Sequence, residues 1–323
     1  MVPNLAAVLG ALTLALSFAV PSAGTSQRGL AWAANNNLAP KLGSPSIVKW
    51  YHHWQNGPVS QMPSKNEYVP MFWGEKYRSL WNERVAEMNK KAPKNLMSLN
   101  EPDVVGQANM DPNAAADLYM KEVYPWSKKG VKLCTPAIVW NLKWMQTFLS
   151  AIKKQGGHAD MTCMHWYGSW KDLAGLQKYV EAVHSLTNMP VWIPELGVTT
   201  ASNPSESQLK TFMTEALTWL DAQPYVERYA WFGCWESNNP PDNFATSMNA
   251  FLNPQGQLSE IGSLYASSTK MKKRSLHSHH LLGRNETQTD TQTDDDAVHC
   301  DTTCEIRNKE IEEYFAQLPP TPA

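Results

Sequence analysis

Charge is scarce in this chain and has no dominant sign. Lys and Arg number 28, Asp and Glu 30, and charged residues make up 18% of 323 positions. A formal net charge of −2 gives no positive field to hold a nucleic-acid backbone or an anionic membrane, so the expected partner is a neutral molecule. No Gly-rich phosphate loop follows the first apolar run, which disfavours a dinucleotide-binding open sheet. The Gly-x-Ser-x-Gly elbow of serine hydrolases is missing too. Metal ligands are poorly placed: His52 and His53 are adjacent and would face opposite sides of a strand, while His277, His279 and His280 stand in a polar tail. Neither a metal nor another cofactor is expected. Five cysteines do not make a disulfide scaffold. Cys134, Cys163 and Cys234 lie in apolar runs and read as buried thiols. Cys300 and Cys304, four apart in the tail, could close a small loop in an exported chain or pair with another molecule.

Past the N-terminus, no segment is long and apolar enough to span a bilayer. The single long run, Leu5 to Val20, ends in Pro21-Ser22-Ala23-Gly24 and reads as a signal peptide over residues 1–24, although it has no Lys or Arg ahead of it. The mature protein is then secreted, to the extracellular space or a cell wall. After Ala266 the composition turns to Lys, Arg, Ser, His, Thr and Asp, so residues 25–269 are expected to form the folded domain and residues 270–323 a polar, largely disordered tail. Residues 305–318 offer one amphipathic helix, and Asn285-Glu286-Thr287 is a glycosylation sequon.

Present in quantity are tryptophan, with 14 residues, and short apolar runs. Strands are expected at Arg28–Ala33, Ser46–Trp54, Tyr68–Gly74, Asn95–Asp103, Lys132–Ile138, Asp160–Gly168, Val191–Val198 and Arg228–Trp235. Helical spacing falls between them at Glu75–Ala92, Asp111–Lys129, Asn141–Gln155, Lys171–Leu186 and Ser205–Ala222. Alternating strand and helix implies parallel strands joined by right-handed crossovers, and eight such units close into an α/β fold of the (β/α)8 barrel type. Residues 34–45 and 55–67 have little helical pattern, so the first two crossovers should be short. Because the strands are apolar on both faces, alternation does not say which residues point inward.

In such a barrel, ligands sit over the C-terminal ends of the strands. The expected ends are Trp32, Trp54, Trp73, Glu101, His165-Trp166-Tyr167, Glu195, Trp231 and Trp235, nearly all acidic or aromatic. Two carboxylates can cleave a glycosidic bond, one protonating the leaving oxygen and the other supporting positive charge at the sugar carbon. Aromatic faces stack on sugar rings, though Trp73, Trp166, Trp231 and Trp235 would serve equally in a core, and about half are expected to reach a cleft. Asp103 reads as a turn cap, His165 as either a core or a site residue, and Glu236 as the chief competitor for a catalytic role.

Arg28-Gly29-Leu30-Ala31-Trp32, Val69-Pro70-Met71-Phe72-Trp73-Gly74, Leu99-Asn100-Glu101-Pro102-Asp103, His165-Trp166-Tyr167-Gly168, Trp192-Ile193-Pro194-Glu195 and Trp231-Phe232-Gly233 together resemble the motifs of glycoside hydrolase family 128, the endo-β-1,3-glucanases of fungi and bacteria. The resemblance implies a (β/α)8 barrel that hydrolyses β-1,3-glucan with retention of configuration; a monomer is expected. It makes Glu101 the acid/base and Glu195 the nucleophile, with Tyr167 donating to Glu195 and Asn100 bonding the sugar 2-hydroxyl. Trp73, His165, Trp166, Trp231 and Trp235 complete the expected substrate site. Glu101 should then hold its proton through partial burial and the nearby charge of Glu195. A non-catalytic glucan-binding wall protein and a glucan transglycosylase are the competing readings.

Overall fold

Eight strands follow in chain order: β1 (Gln27–Trp32), β2 (Val48–His52), β3 (Glu67–Tyr68), β4 (Asn95–Leu96), β5 (Lys132–Leu133), β6 (Thr162–Gly168), β7 (Val191–Val198) and β8 (Val226–Cys234). The structure is a computed structural model that describes residues 27–267 and Lys309. The expected signal peptide, the sequon, Cys300, Cys304, the tail histidines and, apart from Lys309, the terminal helix lie outside the described residues. Six strands pair in the order β3-β2-β1-β8-β7-β6, and β4 pairs with β5. Every strand pair is parallel. Single parallel bridges carry the ring across both seams, from Met71 to Met97 on one side and from Cys134 to Met161 and Ile138 to Met164 on the other. The result is the expected parallel barrel.

β3, β4 and β5 are shorter than their apolar runs. Pro70 and Pro136 sit within those runs, lack an N–H and break the ladder into isolated bridges. The β4 run also stops at Glu101, whose φ of +45° turns the chain out of the sheet. Around the barrel lie α1 (Ala39–Gly43), α2 (Arg78–Lys90), α3 (Pro112–Glu122), α4 (Leu142–Lys154), α5 (Leu173–Thr187), α6 (Glu206–Ala222) and α7 (Glu260–Ala266). Local chemistry starts several of them. Asp111 accepts from the backbone of Asn113 and Ala114 ahead of Pro112 in the first turn of α3, and Ser205 forms a capping box with Gln208 on α6. The first crossover holds a single 3-10 turn (Asn36–Leu38) and the five-residue α1, and the second has no α-helix, as their sequences imply.

Two apolar layers result. One fills the space between strands and helices, and the other fills the barrel interior. The interior floor is aromatic: Trp50 and Trp192 meet at 5.6 Å, and the Arg228 guanidinium lies 4.2 Å over Trp192 while pairing with Glu67 at 2.8 Å. Gly29 makes room for this packing, since a Cβ there would fall 2.2 Å from the Trp50 ring. Above the floor, His52 is fully buried, with Nε2 3.0 Å from the carbonyl of Pro194 and Nδ1 without a partner. The expectation for the cysteines needs correction. Cys134 and Cys163 are buried, but they form a disulfide across the β5–β6 seam, with Cα atoms 5.8 Å apart. Adjacent strands bring the two thiols face to face on the barrel interior, and a separation of 29 residues hides that from the sequence. Cys234 is free and buried.

Two measurements check this account. Replacing Cys134 and Cys163 with Ala should lower the unfolding free energy by about 3 kcal/mol, the size expected for a loop of this length, and an unchanged denaturant midpoint would contradict the staple. Burial lowers the His52 value to about 4 from 6.5. The unfolded chain therefore takes up a proton there that the native state refuses, and stability present above pH 6.5 is lost as the pH falls towards 4. In chemical denaturation at pH 7 and 4.5, His52→Gln should shrink that acid-side loss by about 2 kcal/mol; equal losses in both proteins would count against it.

Candidate active site

The site is built where two distorted strand ends face each other. The Asn100 N–H donates to the Trp73 carbonyl at 3.1 Å and the Glu101 N–H to the Ala137 carbonyl at 2.9 Å, which ties this segment to both neighbours. The left-handed φ at Glu101 then turns its side chain into the barrel mouth, a conformation costing a non-glycine residue about 1–2 kcal/mol. Glu195 comes from β7, whose pairing with β8 shifts register between Ile193 and Leu196. Such a shift re-aims side chains.

His165 lies between the two carboxylates. Its Nδ1 is 2.8 Å from Glu101 Oε1, and its Nε2 faces Glu195 Oε1 at 3.6 Å. Tyr167 donates its hydroxyl to Glu195 Oε2 at 2.5 Å, and the indole N–H of Trp54 donates to Glu195 Oε1 at 2.7 Å. Glu101, His165 and Glu195 each present one polar atom, all within 4.8 Å of one another. That spacing would also admit a cation; here both Glu195 oxygens and one Glu101 oxygen have hydrogen-bond partners.

Burial raises the value of Glu101 above the usual carboxylate range; the charges of Glu195 and Asp103 add to the effect and His165 opposes it. His165 is raised in turn. Its burial works against a charged ring, but the charge of Glu195 and the contact with Glu101 outweigh it. Burial, with the charges of Glu195 and Glu101, pushes Tyr167 far up, so its hydroxyl stays a donor. Asp103 is a cap, though not of the turn that follows it. Its carboxylate accepts from the backbone of Val139, Trp140 and Asn141 at 3.0–3.1 Å, fixing the loop beyond β5 against the Glu101 loop.

A cleft of about 630 Å³ opens over these groups, and Trp73, Asn100, Glu101, Tyr167 and Glu195 line it as expected. His165 lies beneath it, fully buried. Three tryptophan assignments are corrected. Trp166 and Trp231 are 0% exposed and pack against Phe212 in α6, at 5.6 and 6.3 Å. They face the helices, because neighbours on a strand point to opposite faces and His165 and Tyr167 take the inner one on β6. Trp235 is buried against Phe232 at 4.6 Å and does not line the cleft. Glu236 is half-buried, bridges to Leu252 through its backbone and is outside the lining. The aromatic walls are instead Trp54, Trp73, Tyr77, Tyr167, Phe232 and Phe244. Trp54 stood at an expected strand end. Phe232 could have been read from alternation once one inward residue of β8 was known.

Comparison with known proteins agrees with this geometry. The family described as glycosyl hydrolase catalytic core matches residues 29–265. Alkali-sensitive linkage protein 1 of Schizosaccharomyces pombe is 31% identical over 264 residues, which cover 75% of this chain and 44% of that protein. The chain thus spans less than half the length of that relative. A curdlan-specific exo-β-1,3-glucanase of glycoside hydrolase family 128 from Blastomyces gilchristii, solved with glucose, is 29% identical with a TM-score of 0.62, over 76% of this chain and 100% of that one. A family 128 endo-β-1,3-glucanase from Amycolatopsis mediterranei, solved as a variant with laminaripentaose, is 27% identical with a TM-score of 0.63, over 76% and 99%. The Sorangium cellulosum endo-β-1,3-glucanase of the same family is 26% identical with a TM-score of 0.64, over 75% and 98%. The match across nearly the whole described barrel, with an acidic pair in its mouth, means that this chain belongs to the glycosyl hydrolase catalytic core family and to glycoside hydrolase family 128.

Proposed function

We propose that the chain is a secreted endo-β-1,3-glucanase acting by retaining double displacement, with Glu101 as acid/base and Glu195 as nucleophile. The observation that carries this reading is the pair of carboxylates in one cleft with oxygens within 4.8 Å. Retaining glycosidases keep their carboxyl groups about 5–5.5 Å apart, and an inverting enzyme needs a wider gap to fit a water. A Glu195 oxygen attacks the anomeric carbon while Glu101 gives its proton to the bridging oxygen, releasing the leaving chain and forming a glycosyl ester. Glu101, now ionised, takes a proton from water, the oxygen of that water displaces Glu195, and the product leaves as the β anomer. Glu101 must enter the first step protonated, and its burial favours that state.

β-1,3 linkage is carried over from the glucanases that the chain resembles. Endo action is favoured because the cleft is lined from both flanks, by Lys76, Tyr77 and Gln107 on one side and by Pro241, Asp242 and Phe244 on the other, so a chain can lie across the acids. A role for Asn100 in binding a sugar hydroxyl is supported by its buried Oδ1, which lacks a partner. Export is supported by the run Leu5 to Val20 and by the Cys134–Cys163 disulfide, a bond that persists in oxidising compartments.

On laminarin, the wild type should release a ladder of oligosaccharides, and Glu101→Gln and Glu195→Gln should each cost at least about 100-fold in kcat/KM. Glucose as the sole early product would contradict endo action, and a folded protein inactive on all β-glucans would contradict the enzyme. Because the protonated form of Glu101 is the competent one, the alkaline limb of kcat/KM should fall above 4.5, its ordinary value; a limb at or below 4.5 would count against the assignment. In Glu195→Gln a raising charge is gone, so the carboxyl resonance of Glu101 should titrate at lower pH than in the wild type.

A further inference from the structure

Glu195 is held from across the barrel as well as from its neighbours. β2 and β7 are separated by β1 and β8, yet His52, the last residue of β2, and Trp54, two residues beyond it, reach two consecutive residues of β7. The His52 Nε2 lies 3.0 Å from the carbonyl of Pro194, and the Trp54 Nε1–H donates at 2.7 Å to Glu195 Oε1. This is the stretch where the β7–β8 register shifts, so regular ladder pairing does not continue through it. Trp54 has a φ of +45°, a left-handed conformation that a bulky residue adopts only when its surroundings demand it. The turn beyond it is closed by Asn56 N–H to the His53 carbonyl at 2.9 Å. Its indole packs edge-on to His52 at 4.9 Å and to Phe232 at 5.8 Å, and the residue lines the cleft.

We infer that Trp54 is a positioning residue for the nucleophile: its indole N–H, with the Tyr167 hydroxyl, fixes the plane of the Glu195 carboxylate for attack on the sugar. This rests on the proposed role of Glu195. Each carboxylate oxygen has its own donor, Oε1 from Trp54 and Oε2 from Tyr167, so loss of either frees the group to rotate. An indole N–H donates only. It therefore holds the carboxylate without competing for its proton, which a histidine or lysine in its place would do.

Trp54→Phe keeps an aromatic ring and removes the donor. On laminaripentaose it should lower kcat about 10- to 100-fold with KM within about threefold, as expected for lost alignment rather than lost binding. On an aryl β-laminarioside, whose leaving group departs without protonation, the Trp54→Phe loss should persist in the first-turnover burst of aryl release, while the Glu101→Gln loss in that burst largely recovers. In Glu195→Gly rescued by azide, which bonds to the anomeric carbon as the aryl oxide leaves, adding Trp54→Phe should cost nothing further. Wild-type kcat in Trp54→Phe, or an equal loss in the azide-rescued background, would overturn the inference. Wild-type inactivity on every β-glucan would instead sink the underlying functional reading. If Trp54→Phe does not fold, the indole proton resonance of Trp54 decides: it should lie downfield of free indole and move upfield in Glu195→Ala, and an unmoved resonance would overturn the assignment.

Discussion

Two buried carboxylates with oxygens inside 4.8 Å cannot both ionise without strong repulsion, and the mouth of this barrel is organised around that repulsion. Burial raises Glu101 towards its protonated form, while Tyr167 and Trp54 donate to Glu195. His165, wedged between the acids, is fed by the charge of both and adjusts the balance without reaching the cleft. Similar groups in different surroundings thus suit different roles, the pattern needed for acid and nucleophile to coexist.

The scaffold divides its labour along the barrel axis. At the floor, Trp50, Trp192 and the Arg228–Glu67 pair pack tightly and offer no opening to a substrate. At the mouth, Trp54 and Glu101 carry left-handed backbones, and β4, β5 and the β3 side are reduced to short ladders and single bridges. Irregular backbone aims Trp54 and Glu101, while the long strands β6 and β7 carry His165, Tyr167 and Glu195. The disulfide sits at a seam held by two single bridges, two residues before His165, so it ties the strand that carries His165 to the β5 run, whose Ala137 carbonyl accepts from the Glu101 N–H.

Much of this was legible in the sequence because the signals were local. Apolar runs and helical spacing located eight strands and five long helices, and the two acids stood at the ends of the fourth and seventh runs. What escaped depended on facing. A buried parallel strand is apolar on both sides, so nothing in His165-Trp166-Tyr167 taken alone says that the middle residue turns to α6. Trp166 and Trp231 were misread for that reason. Cys134 and Cys163 look like any buried thiols until strand order makes them neighbours. Trp54 was visible as a strand-end aromatic, but its bond to Glu195 spans 141 residues and depends on a backbone turn that no local pattern announces.

The central claim is that Glu195 forms a covalent bond to the sugar while Glu101 moves the proton. Incubation with a 2-deoxy-2-fluoro laminaribioside bearing a good leaving group, followed by proteolysis and mass spectrometry, tests it most directly. The account predicts one fluorosugar carried on the peptide containing Glu195, absent in Glu195→Gln. A label on Glu101, or normal turnover of glucan with no label on either acid, would contradict it.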